Sequence, residues 1–117
     1  MVDASKLRNA LRGYRQPPDV QDIELPVPAR ALPVGWVRRH LSNMRVAAIL
    51  VPFVQTESGL EVLLTQRAAH LSHHPGQISF PGGAQEPQDA GLAATALRDA
   101  HEEVGIAPAD VEVLGFL

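Results

Sequence analysis

Asp99, Glu102 and Glu103 lie within one short stretch of the chain. On an α-helix, spacings of three and four place side chains beside each other on one face. Carboxylates set that close oppose one another by about 0.2–0.5 kcal/mol per pair. A cation bridging them would reverse the sign of that interaction. Hard oxygen ligands suit Mg²⁺ or Mn²⁺, and those ions suit phosphate chemistry. An acidic cluster is also the ordinary make-up of a solvated helix face, so the surrounding elements have to decide between the two readings.

The acids follow a glycine turn at Gly82-Gly83, and the sequence predicts a helix from about Gly91 to Val104. At about 100° per residue, Ala93, Leu97, Ala100 and Val104 make one apolar stripe and the three acids another. One stripe would pack on a sheet and the other would point into a cleft. Gly105 allows the chain to leave the helix in a conformation that a β-carbon resists. Upstream, Val46 to Val54 is a continuous apolar run read as a buried strand. Thr56-Glu57-Ser58-Gly59 is a hairpin turn signal, with Leu60 to Thr65 as the returning strand. Residues 68–76 read as a loop, Gln77 to Phe80 as a short strand, and Pro108-Ala109-Asp110 as a turn before a last strand, Val111 to Leu117. At the other end, Leu7, Ala10 and Leu11 suggest a helix over 4–13, with Gly13 at its end. Five prolines between Pro17 and Pro33 forbid a regular helix there, so 14–35 is expected to be an extended, packed arm.

Composition excludes several classes. The chain has 117 residues, enough for one small domain, and a formal net charge of −3, without the basic excess of a nucleic-acid binder. There is no cysteine, hence no disulfide framework and no thiol nucleophile. No apolar run approaches the roughly 18 residues of a membrane span, and no signal-peptide pattern opens the chain. A cytoplasmic location is the expectation.

Two motifs together resemble the Nudix hydrolases. The family box reads Gly, five residues, Glu, seven residues, then Arg-Glu-apolar-any-Glu-Glu-any-Gly-apolar. Gly83 takes the first place and Asp89 the first acid. Arg98-Asp99-Ala100-His101-Glu102-Glu103-Val104-Gly105-Ile106 matches the rest. Asp99 stands where Glu is usual, and eight residues, not seven, separate Asp89 from Arg98. The preceding Leu63-Leu64-Thr65-Gln66-Arg67, Leu71 and His74-Pro75-Gly76-Gln77-Ile78-Ser79-Phe80-Pro81-Gly82-Gly83 look like the coenzyme A diphosphatase branch, which tends to carry the extra residue. An Arg common in that branch is Ser72 here. The resemblance covers roughly 45–117, leaving 1–44 as an N-terminal helix and proline-rich arm.

The resemblance implies an α/β fold, a mixed sheet sandwiched by helices. It also implies divalent-metal-dependent hydrolysis of a diphosphate bond, most simply in coenzyme A or its thioesters. Another nucleoside diphosphate derivative, or a metal- or nucleotide-binding module without turnover, is the alternative. Asp99, Glu102 and Glu103 become the implied ligands of Mg²⁺ or Mn²⁺ and share the catalytic role with Arg98, which would fix a neighbouring carboxylate. Arg67, Gly82 and Gly83 are implied substrate contacts, and Arg67 could equally pair with an acid. The implied partner is a small nucleotide-derived molecule, not a nucleic acid or a membrane. The family fold normally continues beyond a strand such as 111–117, so an incomplete sheet and self-association through its edge are expected. Outside the motifs, His70, His73 and His74 read as surface residues, Glu86 and Asp89 as turn formers, and Tyr14 and Trp36 as packing anchors of the arm.

Overall fold

The computed structural model describes residues 3–15 and 33–117. The heart of the expected arm, 16–32, lies outside the described residues. Helix α1, Ala4–Ala10, opens with Asp3, whose Oδ1 accepts from the Lys6 N–H at 2.9 Å. It ends earlier than Gly13: Leu11 is the last capping residue, and the chain then tightens into turns closed by Arg12 N–H to Asn9 O and Tyr14 N–H to Leu11 O. A second helix, α2, spans Val34–Asn43 where an arm was expected. Pro33 explains the difference. Proline breaks a helix interior but suits its start, where no N–H is needed, and here its carbonyl accepts from both Trp36 and Val37. Tyr14 and Trp36 are not buried anchors: they are 59% and 47% exposed, and Trp36 stacks on His40 instead.

The apolar run 46–54 is not one strand. It divides into β1, Ala47–Ile49, and the start of β2, Phe53–Thr56, because Pro52 cannot donate to a ladder. Nor is it fully buried, since Ile49, Phe53 and Val54 are exposed. The hairpin forms at the expected turn, with β2 paired to β3, Gly59–Val62, and Thr56 opposite Gly59, but the returning strand stops at Val62 and not at Thr65, which joins a different ladder. Strand β4, Thr65–Gln66, pairs with β5, Ile78–Ser79, across the loop 67–77. Strand β6, Gly82–Ala84, returns to β1. The class is α/β, and among the described residues the strands pair as three antiparallel two-stranded ladders.

Helix α3, Leu92–Val104, packs on β1 and β6. Small residues set its distance. Ala47, Ala48 and Ile49 face Ala84, Gly83 and Gly82, and the helix answers with Thr95, Ala96 and Ala100, all buried. Burial therefore centres about a quarter turn round from the expected apolar stripe: Val104 is 40% exposed, while the Asp99 side chain is only 13% exposed. Gly105 leaves the helix at φ 73°, in the expected left-handed conformation, and donates to His101 O.

Residues 111–117 form no ladder among the described residues. A strand needs a partner edge, and this segment lies along α1 instead. A Cβ on Gly115 would fall 2.9 Å from Leu11 Cβ, and Arg8 forms a two-pronged pair with Glu112 at 2.9 Å to each oxygen. An apolar cleft of about 780 Å³ opens between α1, β1, β2 and the start of α3, lined by residues such as Leu7, Leu63, Leu97 and Phe116. The carboxylates of α3 do not line it, so it is a gap in the apolar packing and separate from the acidic cluster.

Candidate metal centre

The residues between β6 and α3 form the turn that aims the site. Asp89 N–H donates to Glu86 O at 3.0 Å, and Glu86 N–H donates back to Asp89 Oδ2 at 2.9 Å. The loop is thus closed at both ends by one Asp, the local bonding that makes Asp a turn residue. Thr95 adds a second donor to that carboxylate, its Oγ1 lying 2.9 Å from Asp89 Oδ2. Arg98 supplies the largest share: Nε to Oδ1 at 2.9 Å and Nη2 to Oδ2 at 3.1 Å, the fork geometry that guanidinium and carboxylate share. With the Arg98 fork foremost, and the Glu86 amide and Thr95 adding to it, the Asp89 carboxyl is held well below the usual range despite being 4% exposed. Arg98 is correspondingly held further above its usual value, the Asp89 bonds again being the main cause. Asp89 and Glu86 do form the turn, and Asp89 is in addition the anchor of Arg98.

Arg98 then reaches forward. Its Nη2 donates to Ala84 O at 3.0 Å, tying α3 to the end of β6. Its Nη1 donates to Asp99 Oδ1 at 3.1 Å and to Glu102 Oε2 at 3.4 Å. That leaves Asp99 Oδ2 buried and, among the described residues, without a hydrogen-bond donor. An uncompensated buried carboxylate oxygen is costly, and this one faces the backbone of Gly83, where a Cβ would lie 2.5 Å away. The glycines are accordingly strand residues, not a turn. Neither has a positive φ. Glycine is required here by close approach: at Gly83 to the Asp99 carboxylate, and at Gly82 to the backbone of Ala48 and Ile49.

An orphaned carboxylate oxygen, a bare backbone beside it and two further carboxylates on the same helix suit a hard divalent cation. The three acids are not drawn into a closed cage. Among the described residues no three His, Asp or Glu side chains are grouped closely enough to hold a metal ion. Glu102 is 61% exposed and turned to Arg98, and Glu103 is exposed with no hydrogen bond or ion pair among the described residues. Arg67 has no acidic partner among the described residues; its Nε donates to His73 O at 3.1 Å, which holds it to the 67–77 loop. His70, His73 and His74 are exposed on that loop. Thr95 was missed by sequence reasoning. A hydroxyl in the first helical turn, six residues after an Asp that closes a turn, is the signal that could have found it.

Residues 44–117 match the NUDIX domain family. The chain belongs to the Nudix family. It is 55% identical over 80 residues to a protein of Enterobacter sp. (strain 638) named an uncharacterized Nudix hydrolase, NudL, covering 68% of this chain and 41% of that protein. Proteins of the same name from Escherichia coli (strain SMS-3-5 / SECEC) and Shigella boydii serotype 18 are 51% identical over 82 residues, 69% of this chain and 42% of theirs. The chain thus spans about two fifths of the length of the curated relatives it matches. Among the described residues no helix is long and apolar enough to cross a membrane.

Proposed function

We propose that this Nudix chain carries the metal-binding helix of a diphosphate hydrolase, and that coenzyme A or its thioesters are the substrate. The observation that carries the metal reading is Asp99 Oδ2, buried beside Gly83 and, among the described residues, without a donor. Asp99 would hold Mg²⁺ or Mn²⁺ together with Glu103 and Glu102. When bound, the cation neutralises charge on the diphosphate and acidifies the attacking water. The chain's own residues do the rest. Arg98 fixes the Asp99 carboxylate through Oδ1 and leaves Oδ2 free to act as a ligand. Glu102 and Glu103, both exposed, can turn inward, and either can take the proton of the attacking water. Gly83 has no side chain of its own, which lets the Asp99 carboxylate lie against the Gly82–Ala84 strand and would keep a cation held there close to backbone. Arg67, whose Nε donates to His73 O and which has no acidic partner among the described residues, would be a contact for substrate phosphate.

The coenzyme A assignment rests on the residues from Leu63 to Phe80 that precede the box. Incubation with coenzyme A and Mn²⁺, followed by chromatography, should give 3′,5′-ADP and 4′-phosphopantetheine. Faster cleavage of ADP-ribose or a nucleoside triphosphate would replace the substrate. A second reading, cation or nucleotide binding without turnover, is favoured by the open arrangement of the three acids. A folded chain that binds Mn²⁺ and cleaves none of these substrates would establish it.

A further inference from the structure

Thr95 is fully buried, yet it is polar and sits in the face of α3 that packs on the sheet. Alanine would serve packing there, as it does at Ala96 and Ala100. Its hydroxyl proton has two acceptors in range, Gly91 O at 3.2 Å and Asp89 Oδ2 at 2.9 Å, and the charged, nearer one is the stronger. From Asp89 the linkage continues through the Arg98 fork to Asp99 Oδ1. Each of these atoms is at least partly buried, so each bond is weakly screened. Every link also fixes the next: a carboxylate that swings lets the guanidinium swing with it.

We propose that Thr95 is the positioning residue of the site: its hydroxyl holds Asp89 so that Arg98 presents the Asp99 carboxylate to Gly83. The proposal rests on the reading of Asp99 as a cation ligand, but it can be tested apart from it. Thr95→Val keeps the shape and removes the hydroxyl, whereas Thr95→Ser keeps the hydroxyl and removes the methyl group. A residue that only fills space would tolerate valine better than serine. A positioning residue would show the reverse.

The metal-free readout is exchange of the Arg98 Nε proton, followed by NMR on the whole chain. Thr95→Val should speed that exchange about tenfold or more, the equivalent of one charge-assisted hydrogen bond, and Thr95→Ser should leave it near wild type. In the Asp89→Ala background, which removes the acceptor, the difference between valine and serine should vanish. Thr95→Ala, which lacks both groups, should match valine and replaces it if valine does not fold. Mn²⁺ affinity, by calorimetry, should fall about tenfold in the same variants that speed exchange. Unchanged Nε exchange in the valine and alanine variants would overturn the proposal, as would serine behaving worse than valine. Failure of the wild type to bind Mn²⁺ would overturn the cation reading alone, and the exchange comparison would still decide the Thr95 linkage.

Discussion

Methyl groups added at Gly83 and at Gly82 should have unlike consequences, although the residues are adjacent in one strand. A Cβ at Gly83 would lie 2.5 Å from Asp99 Oδ2, 3.0 Å from its Cγ and 3.3 Å from Oδ1. All three neighbours are side-chain atoms, so rotation of Asp99 relieves the overlap. Pushing a side chain about 30° from its rotamer costs roughly 0.5–1.5 kcal/mol, and overpacking as a whole costs about 1–3 kcal/mol. At about 4 °C per kcal/mol, Gly83→Ala should melt roughly 4–12 °C lower and remain folded. The carboxylate, however, has to move by about 1 Å, a displacement that costs on the order of 10²-fold in a positioned reaction. At Gly82 the new Cβ would meet the carbonyl oxygen of Ala48 and the Cα of Ile49. Backbone cannot rotate away, so the β1–β6 ladder itself would have to open. Gly82→Ala should therefore lose more stability than Gly83→Ala, and Gly83→Ala should lose Mn²⁺ affinity and turnover out of proportion to its stability. Thermal melts and Mn²⁺ calorimetry on both variants measure this. Wild-type Mn²⁺ affinity in Gly83→Ala, or a Gly82→Ala chain that melts no lower than Gly83→Ala, would refute the reasoning.

Other outcomes follow from the same geometry. The Asp89 carboxyl is held below its usual range by Arg98, the Glu86 amide and Thr95, so its contribution is present above the ordinary carboxylate pKa near 3.9 and is lost as pH falls below about 4. Melting temperature should drop through that acid range in the wild type and less steeply in Asp89→Asn. A slope in Asp89→Asn equal to that of the wild type would remove Asp89 as its source. Glu103→Gln should weaken Mn²⁺ binding, because a neutral amide is a poor ligand for a hard cation; equal affinity would remove Glu103 from the ligand set. Ile49, Ile78, Leu64 and Val62 are 61%, 63%, 50% and 47% exposed, so the isolated chain should self-associate. Light scattering that shows a monodisperse monomer would contradict this.

The α3 region was the most legible part of the sequence. Its helix, the left-handed Gly105 and the Thr56–Gly59 hairpin all depend on local chemistry: periodicity, a glycine without a β-carbon, and a polar turn. What was not legible depended on partners far along the chain. The run 46–54 reads as one strand until Pro52 is weighed against the ladder it would have to join. Pro33 reads as a breaker until its carbonyl is seen to accept the first bonds of α2. Residues 111–117 have the composition of a strand, but strand formation is decided by an available edge, and α1 is what they meet. At the site, the residue types were visible but not their division of labour. Helical angles alone put Asp99 with Glu102 and Glu103, whereas packing on small residues draws Asp99 against the sheet and leaves the glutamates outside.

The central claim is that Asp99 holds a divalent cation through an oxygen kept free for that purpose. Calorimetric titration of Mn²⁺ into the wild-type chain and into Asp99→Asn tests it most directly, because asparagine keeps the shape and the contact with Gly83 while removing the charge. Binding by the wild type, weakened at least about tenfold in Asp99→Asn, is the expected result. Equal affinity in the two, with both chains folded, would contradict the account.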